Sequence, residues 1–179
     1  MTILENPAVK RVESSLRQSG SESRIIELQD TARSANDAAS SIGTELGSIV
    51  KSLLFSIDSE PVMTLIAGDM LCDMENLNKV FDIEGKIIRL DAKTVRSVTG
   101  FSIGGVAPIG HLTNIPVVID GSLKRFRTLY AAAGHPHCVF ATTFTELKKI
   151  TKGLVSEEVS IMAVDPDGCK DLNLNLNKL

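Results

Sequence analysis

Two neighbouring β-rich segments in the middle of the chain constrain its fold more than any other feature. Residues 49–57 and 62–67 are mostly apolar and rich in β-branched side chains, and residues 58–61 between them have turn chemistry. This pattern predicts a β-hairpin. Segments of helical periodicity alternate with further strand-like segments on both sides of the hairpin, so the sequence predicts an α/β fold.

The remaining elements are predicted from capping residues and apolar periodicity. Asn6 and Ser34 are typical helix N-caps, and Gly20 is typical of a helix end. Helices are predicted at 7–19, 35–46, 74–81, 92–98, 122–129 and 145–152, and strands at 24–28, 86–90, 115–119 and 138–142. Residues 165–179, with alternating Leu and Asn, are interpreted as an edge strand or a frayed tail. No linker and no internal repeat divide the chain, so residues 1–179 are expected to form a single domain.

The overall composition limits the function classes. Of the 179 residues, 43% are hydrophobic, which is enough for one core. The sequence has neither an apolar run long enough to cross a membrane nor a secretory leader, so we expect a cytoplasmic protein without a membrane partner. A net charge of −3 disfavours a wide nucleic-acid footprint but allows a local one. Cys72, Cys138 and Cys169 form no CxxC pair and are interpreted as free thiols.

Lys51 lies inside the first strand of the predicted hairpin. With a period of two it shares a face with Ile49, Leu53 and Phe55. A lysine on an apolar face is costly unless it is paired or serves a site. Two interpretations stay open: Lys51 belongs to a functional site, or a bulge or another register turns it toward solvent.

The segment from Gly100 to Gly110 is rich in glycine and yet apolar. It holds four glycines and one proline together with Phe, Ile and Val side chains, whereas a flexible linker would be polar. The backbone N–H groups of such a loop can stabilise an anion or a developing oxyanion. The alternative is a tight structural turn between a helix and a strand.

Residues 100–104 also match the G-x-S-x-G nucleophile elbow, with Ser102 as its serine. An elbow needs a strand, a sharp turn and a helix, in that order. Here the motif follows a helical segment and runs into more loop. A serine esterase that uses Ser102 is therefore kept only as an alternative.

Histidines and basic residues form small local clusters. His135, His137 and Cys138 could contribute to a metal site, but further ligands with clear spacing are missing, so no metal is expected. Residues 124–127 and 148–152 are basic. These two clusters are either solvated helix faces or contacts for nucleic-acid phosphates.

Several segments together resemble the YbaK/prolyl-tRNA synthetase-associated editing domains. Residues 99–110 resemble the signature loop of that family, and residues 51–55 resemble its lysine-bearing strand. Residues 65–69 resemble the end of its next strand, and residues 131–135 its late Gly-His segment. The resemblance extends over residues 5–160, and the glycine-rich loop together with the upstream lysine carries it.

The resemblance implies both a fold and an activity. The fold is a single α/β domain with a mixed, barrel-like sheet flanked by helices. The activity is the hydrolysis, in trans and without a cofactor, of a wrong amino acid from the 3′ end of an aminoacyl-tRNA, usually tRNA for proline, with prolyl-tRNA synthetase as a further partner. Some alanine-specific members have Asn after the lysine, and cysteine-type members have Thr. Ser52 is nearer to Thr, so alanine, cysteine, serine and small non-protein residues all stay open as substrates.

The resemblance also implies roles for individual residues. Lys51 would be the essential lysine, and Gly104 and Gly105 would belong to the catalytic G-x-x-x-P loop. The implied substrate-binding residues are Ser52, Ser102, Ile103, Val106, Ala107, Pro108 and His135. No side chain is an obvious general base, which is consistent with assistance from the ribose hydroxyl of the substrate. The alternative from another class is a non-catalytic module of the same fold that binds a tRNA or nucleotide end.

Overall fold

The predicted hairpin is the centre of the sheet. The computed structural model describes residues 2–163, so the expected tail at 165–179 lies outside the described residues. The helices are α1 (Pro7–Gln18), α2 (Ala35–Ile42), α3 (Leu77–Phe81), α4 (Ala92–Thr99) and α5 (Phe144–Thr151). The strands are β1 (Ile25–Glu27), β2 (Ile49–Ile57), β3 (Glu60–Ala67), β4 (Met70–Cys72), β5 (Ile87–Arg89), β6 (Val117–Asp120), β7 (Leu129–Ala132), β8 (Cys138–Thr142), β9 (Leu154–Ser156) and β10 (Ser160–Met162). Short 3-10 helices lie at Ile3–Glu5, Leu46–Ser48, Met74–Asn76 and Gly121–Arg125.

Helices α1 and α2 start at the predicted caps. The Asn6 side chain accepts a hydrogen bond from the Ala8 N–H, and Ser34 forms a capping box with Asp37. Such caps satisfy N–H groups that have no partner inside the helix. Gly43 ends α2 in the left-handed conformation. The predicted extension of this helix to residue 46 is therefore wrong, and Leu46 begins a separate 3-10 turn.

Eight strands form one mixed sheet. Its order is β1-β8-β7-β2-β3-β6-β9, and β5 pairs with β2 beside this path. The β2–β3 hairpin is antiparallel over eight residue pairs, whereas β7 runs parallel to β2 and β6 parallel to β3. The expected mixed sheet flanked by helices is confirmed. The path of paired strands is open, with β1 and β9 at its two ends.

The glycine-rich loop is part of the largest hydrophobic core. Phe101 and Ala107 are fully buried, and they belong to the same apolar cluster as Val12 of α1, Leu65 of β3 and Phe140 of β8. This explains the apolar composition of the loop. Ser102 and Ile103 are exposed, but residues 105–109 are buried between α4 and β6 and form part of this core.

The predicted helix at 122–129 is wrong. A 3-10 helix covers Gly121–Arg125, and β7 begins at Leu129. Asp120 explains the short turn, since its carboxylate accepts hydrogen bonds from both the N–H and the hydroxyl of Ser122. Strand β7 alternates buried and partly buried residues because one face packs on the core. Within residues 2–163, every helix is too short or too polar to span a membrane.

Candidate active site

Strand β2 is paired along only part of one edge. Toward β7 it pairs through Ile49 and Val50, and toward β5 it pairs through Phe55, Ser56 and Ile57. No strand of the described chain pairs with residues 51–54 on this edge. The sheet is thus open there, between the ends of β7 and β5.

A cavity of about 280 Å³ lies at this opening. Its walls come from the β1–α2 connection, β2, β5, the glycine-rich loop, β7 and β8. Most of the lining is aliphatic, with few polar groups, which is typical of a small-ligand site. Among the residues expected at the site, those that line the cavity are Lys51, Ser52, Ile103, Gly104 and Val106. The structure therefore brings the lysine strand and the glycine-rich loop together at one place.

Lys51 is partly buried in the predicted register, opposite Ile66 of β3. Its ammonium group donates a hydrogen bond to the Met70 carbonyl in β4. Burial lowers the pKa of Lys51, and the nearby carboxylates of Asp69 and Asp120 oppose this shift. No carboxylate of the described residues forms an ion pair with Lys51. Its ammonium group is thus held by a neutral oxygen and not by a carboxylate.

The amides of the glycine-rich loop differ in their hydrogen bonds. The Gly105 N–H donates to the Ser102 carbonyl at 2.9 Å, so it is not available to an oxyanion in this conformation. Gly104 and Val106 line the cavity, and neither N–H has an acceptor among residues 2–163. The expectation that Gly105 supplies an amide is therefore corrected, and the free donors are Gly104 and Val106.

Gly105 has a packing role instead. A Cβ atom at this position would lie 2.8 Å from the His135 backbone nitrogen and 2.9 Å from the Gly134 carbonyl carbon. The Gly105 carbonyl also accepts a hydrogen bond from the Gly134 N–H. Two backbone segments thus touch here, and a side chain at position 105 would separate them.

Arg11 of α1 ties both ends of the loop together. Its Nε donates to the Gly110 carbonyl at 2.7 Å, and its Nη2 donates to the Gly100 carbonyl at 3.0 Å. The guanidinium also lies 4.6 Å from the centre of the Phe101 ring. His111 adds a second tie, since its Nε2 lies 2.9 Å from the Ala107 carbonyl oxygen. Burial lowers the pKa of His111, which favours the neutral ring.

Ser102 is exposed and does not line the cavity. The G-x-S-x-G motif begins at Gly100, the left-handed residue that ends α4. The serine therefore follows a helix C-terminus, whereas a nucleophile elbow places it at a helix N-terminus. No histidine of the described chain forms a hydrogen bond with its hydroxyl. The geometry of a serine esterase is missing.

His135 is not placed as a pocket histidine. Its Nδ1 accepts a hydrogen bond from the His137 N–H, and Pro136 lines the cavity in its place. Ala107 and Pro108 are buried behind the lining and do not form part of it. Their role is to support the loop. Within residues 2–163, no group of three or more His, Cys, Asp or Glu side chains is arranged to hold a metal ion.

The cavity also has walls that the sequence analysis did not identify. Arg33 and Arg89 are exposed at its rim, and Tyr130 and Cys138 lie along its wall. Burial raises the pKa of the Cys138 thiol to about 11, so the thiol is neutral. Cys72 and Cys138 are free, as predicted, and Cys169 lies outside the described residues. No sequence pattern marks these wall residues, since they come from four separate elements.

Part of the basic segment 124–127 is already neutralised. Arg125 donates to both carboxylate oxygens of Asp69, at 2.7 and 2.9 Å. Lys124 forms an ion pair with Glu157 at 2.7 Å. These two cations therefore serve contacts within the protein.

Comparison with known proteins decides the family. Residues 29–150 match the family model described as "Aminoacyl-tRNA editing domain", which covers more than half of the chain. The chain belongs to the aminoacyl-tRNA editing domain family. The resemblance found in the sequence is thereby confirmed.

Similar proteins align with this editing domain over most of its length. It is 31% identical to the uncharacterized protein YwhH of Bacillus subtilis over 165 residues, which are 92% of this chain and 98% of that protein. It is 27% identical to EbsC of Enterococcus faecalis, named as a candidate Cys-tRNA(Pro)/Cys-tRNA(Cys) deacylase, over 66% of this chain and 77% of that protein. A crystal structure described as a candidate trans-editing enzyme for prolyl tRNA synthetase is 33% identical. It superposes with a TM-score of 0.79 over 85% of this chain and 96% of that one.

Proposed function

We propose that this editing domain hydrolyses the ester bond between a small, wrongly attached amino acid and the 3′ end of a tRNA, acting in trans. The substrate we favour is tRNA for proline carrying alanine or cysteine. The observation that carries the proposal is one cavity that is lined both by Lys51 and by Gly104 and Val106, whose amides have no acceptor among residues 2–163. The names of the relatives agree with this choice of substrate class.

Ester hydrolysis requires stabilisation of a tetrahedral oxyanion. Two preorganised N–H donors in an apolar cavity provide such stabilisation, and removing one donor from an oxyanion hole typically costs about 100-fold or more in rate. Gly104 and Val106 offer these donors. The N–H groups cost no reorganisation because Arg11 and His111 already hold the loop.

Lys51 supplies the positive charge of the site. An ammonium group bound to a carbonyl oxygen can shift to a phosphate oxygen of the terminal adenosine, which is ionised and forms the stronger hydrogen bond with a cation, and can contact a ribose oxygen beside it. In this role it orients the ester toward the loop amides. Misplacement of reacting groups by about 1 Å can cost about 100-fold in rate, so a positioning contact of this kind is sufficient to make Lys51 essential.

The reaction then proceeds with a water molecule as the nucleophile. Water attacks the ester carbonyl, and the adjacent ribose hydroxyl of the substrate relays its proton to the departing ribose oxygen. The bond between that oxygen and the acyl carbon breaks, which releases the free amino acid and the uncharged tRNA. No side chain of the described cavity lining is required as a base.

The cavity sets the size of the amino acid. Its volume of about 280 Å³ is at the lower end of ligand sites, and its walls are mainly aliphatic. Pockets of this kind discriminate by size and separate neighbouring aliphatic side chains only by about 10- to 200-fold. We therefore expect several small amino acids to be accepted and large ones to be rejected. Aminoacyl-tRNA and prolyl-tRNA synthetase are the proposed partners, and translation places the protein in the cytoplasm.

A deacylation panel tests the proposal. Proline tRNA charged in turn with alanine, cysteine, serine and proline is incubated with the protein, with Lys51→Ala and Ser102→Ala as variants. We expect at least one small amino acid to be removed, proline to be retained, Lys51→Ala to be inactive and Ser102→Ala to be active.

Other outcomes would change the assignment. If Ser102→Ala abolishes hydrolysis and Lys51→Ala does not, the serine-esterase mechanism replaces the one proposed. If no aminoacyl-tRNA is hydrolysed but the 3′ end still binds, the protein is a binding module that has kept the fold.

A further inference from the structure

We infer that Ser52 forms the subsite for the α-amino group of the substrate, through its main-chain carbonyl and its side-chain hydroxyl together. The inference rests on the proposed deacylase function and assigns one group of the substrate to one residue.

The interrupted edge of β2 presents the peptide groups of Ser52. The Leu90 N–H donates to the Leu54 carbonyl at 3.1 Å, which shows that the Leu54 carbonyl points to this edge. Peptide groups of a strand alternate in direction, so the N–H and C=O of Ser52, two residues earlier, point to the same edge. Neither β7 nor β5 pairs with Ser52 in the described chain. Its carbonyl therefore faces the cavity without a strand partner.

The Ser52 hydroxyl is also unpaired. Its Oγ is buried and has no hydrogen-bond partner among the described residues. A buried polar group without a partner is destabilising by about 1–3 kcal/mol, so such groups are rare unless a ligand or water completes them. Ser52 lines the cavity, so a group bound there is positioned to complete this hydroxyl.

The chemistry of the two oxygens selects the group. A main-chain carbonyl is only an acceptor, and a serine hydroxyl can accept as well, so the pair suits a group with more than one hydrogen to donate. Within the aminoacyl group of alanine or cysteine only the α-amino group has this property, because both ester oxygens are acceptors.

Two substrates that differ only in this amino group test the inference. Alanyl-tRNA and propionyl-tRNA carry the same carbon chain, and propionyl-tRNA lacks the α-amino group. Each enzymatic rate is divided by the uncatalysed rate of the same ester. We expect Ser52→Ala to lower kcat/KM about tenfold on alanyl-tRNA, as for loss of a hydrogen bond to a charged group, and to change it less than about twofold on propionyl-tRNA. Ser52→Thr keeps the hydroxyl and should retain most of the activity on alanyl-tRNA.

Ser56→Ala is the matched control. Ser56 is buried on the same strand and the same face, but it lies beside β5 and does not line the cavity. Ser56→Ala should leave kcat/KM unchanged for both alanyl-tRNA and propionyl-tRNA. An equal loss on both esters after Ser52→Ala would overturn the inference, because a purely structural effect does not distinguish them. No loss on either ester would overturn it as well.

A binding measurement separates this inference from the proposed function. Adenosine carrying an alanylamide or a propionylamide at its 3′ position cannot be hydrolysed as an ester, and its binding can be followed by NMR titration. Wild-type protein should bind the alanyl compound more tightly, and Ser52→Ala, which keeps the main-chain carbonyl but removes the hydroxyl, should weaken that preference. This result would support the subsite even if no ester were hydrolysed. Equal binding of both compounds to the wild type would refute it even if deacylation were confirmed.

Discussion

The two edges of β2 are used in different ways. Toward β3, eight consecutive residue pairs join the strands without interruption. Toward β7 and β5, the pairing stops after Val50 and resumes at Phe55, and the cavity lies between these two residues. The same strand is thus a structural element on one edge and a wall of the site on the other.

This difference shows how a gap in strand pairing lets a sheet contribute one wall of a site. A fully paired edge has no hydrogen-bonding groups left, since every buried N–H and C=O needs a partner and has one. An interrupted edge leaves such groups facing a space from which other strands are excluded. Apolar side chains around that space then limit the ligand to a small one. The β3 edge of β2 is therefore expected to determine stability, and the edge toward β7 and β5 is expected to determine activity.

The largest effects are expected from Lys51 at the cavity and from Met63 in the fully paired β2–β3 hairpin. Lys51→Ala should reduce deacylation about 100-fold because the ester is no longer positioned. The free energy of unfolding should hold or rise, since a partly desolvated charge is removed. Met63→Ala, at a fully buried position of β3, should instead lower the free energy of unfolding by about 2–5 kcal/mol and keep the activity per folded molecule. Urea unfolding and single-turnover deacylation measure both. A Lys51→Ala variant that unfolds easily would remove the distinction between the edges.

Gly105→Ala should have the next largest effect. The added methyl group would lie within 3.0 Å of the backbone at Gly134 and His135, which must move. We expect a loss of about 1–3 kcal/mol in stability and about tenfold in rate, because the loop amides shift with the backbone. Gly20→Ala is the control, since a Cβ there meets nothing within 4 Å and only the left-handed backbone is strained. Similar rates for Gly105→Ala and wild type would show that the loop position does not matter.

Arg11→Met should have a smaller effect on the deacylation rate, through the same glycine-rich loop. The change keeps the aliphatic part of the side chain but removes the hydrogen bonds to both ends of the loop. We expect roughly a threefold to tenfold loss in kcat and a partial recovery when free guanidinium ion is added, since the ion can occupy the vacated position. Arg17 is on the exposed side of the same helix, so Arg17→Met should keep the wild-type kcat both with and without added guanidinium ion. Lack of recovery with an unchanged fold would favour a general packing role for Arg11.

The smallest effect concerns the pH dependence of stability. The pKa of Lys51 in the folded protein is below its ordinary value of 10.5, so over the pH range between the two values the unfolded chain binds the additional proton. The free energy of unfolding of the wild type should therefore rise with pH across that alkaline range, relative to Lys51→Met. Parallel denaturant titrations at several alkaline pH values measure the difference. A difference that falls with pH would mean that the folded environment favours the charged form.

Local patterns were sufficient for much of the fold. The caps at Asn6 and Ser34 and the β-rich segments of the hairpin each depend on neighbouring residues, and each is confirmed, with the turn itself confined to Asp58 and Ser59. Strands β4, β9 and β10 were missed because three residues are too few to show a period, whereas the equally short β1 and β5 lie within the longer β-rich segments 24–28 and 86–90; β7 was missed as well. The helix predicted over residues 122–129 failed for another reason. The Asp120 carboxylate and the pairing of β7 with β2 and β8 outweigh the local preference.

Only part of the candidate site could be predicted, because a local pattern reveals an unusual residue but not the distant residues that it contacts. Lys51 stood out because a charged residue in an apolar strand is unusual, and the loop at 100–110 stood out by composition, whatever their partners were. The sequence by itself therefore determined which segments are unusual and to which family they belong. Only the tertiary structure decided which amides are free, that Gly105 packs against Gly134 and His135, and that His135 is outside the cavity. These properties depend on hydrogen bonds and contacts between residues far apart in the chain, and no local pattern encodes them.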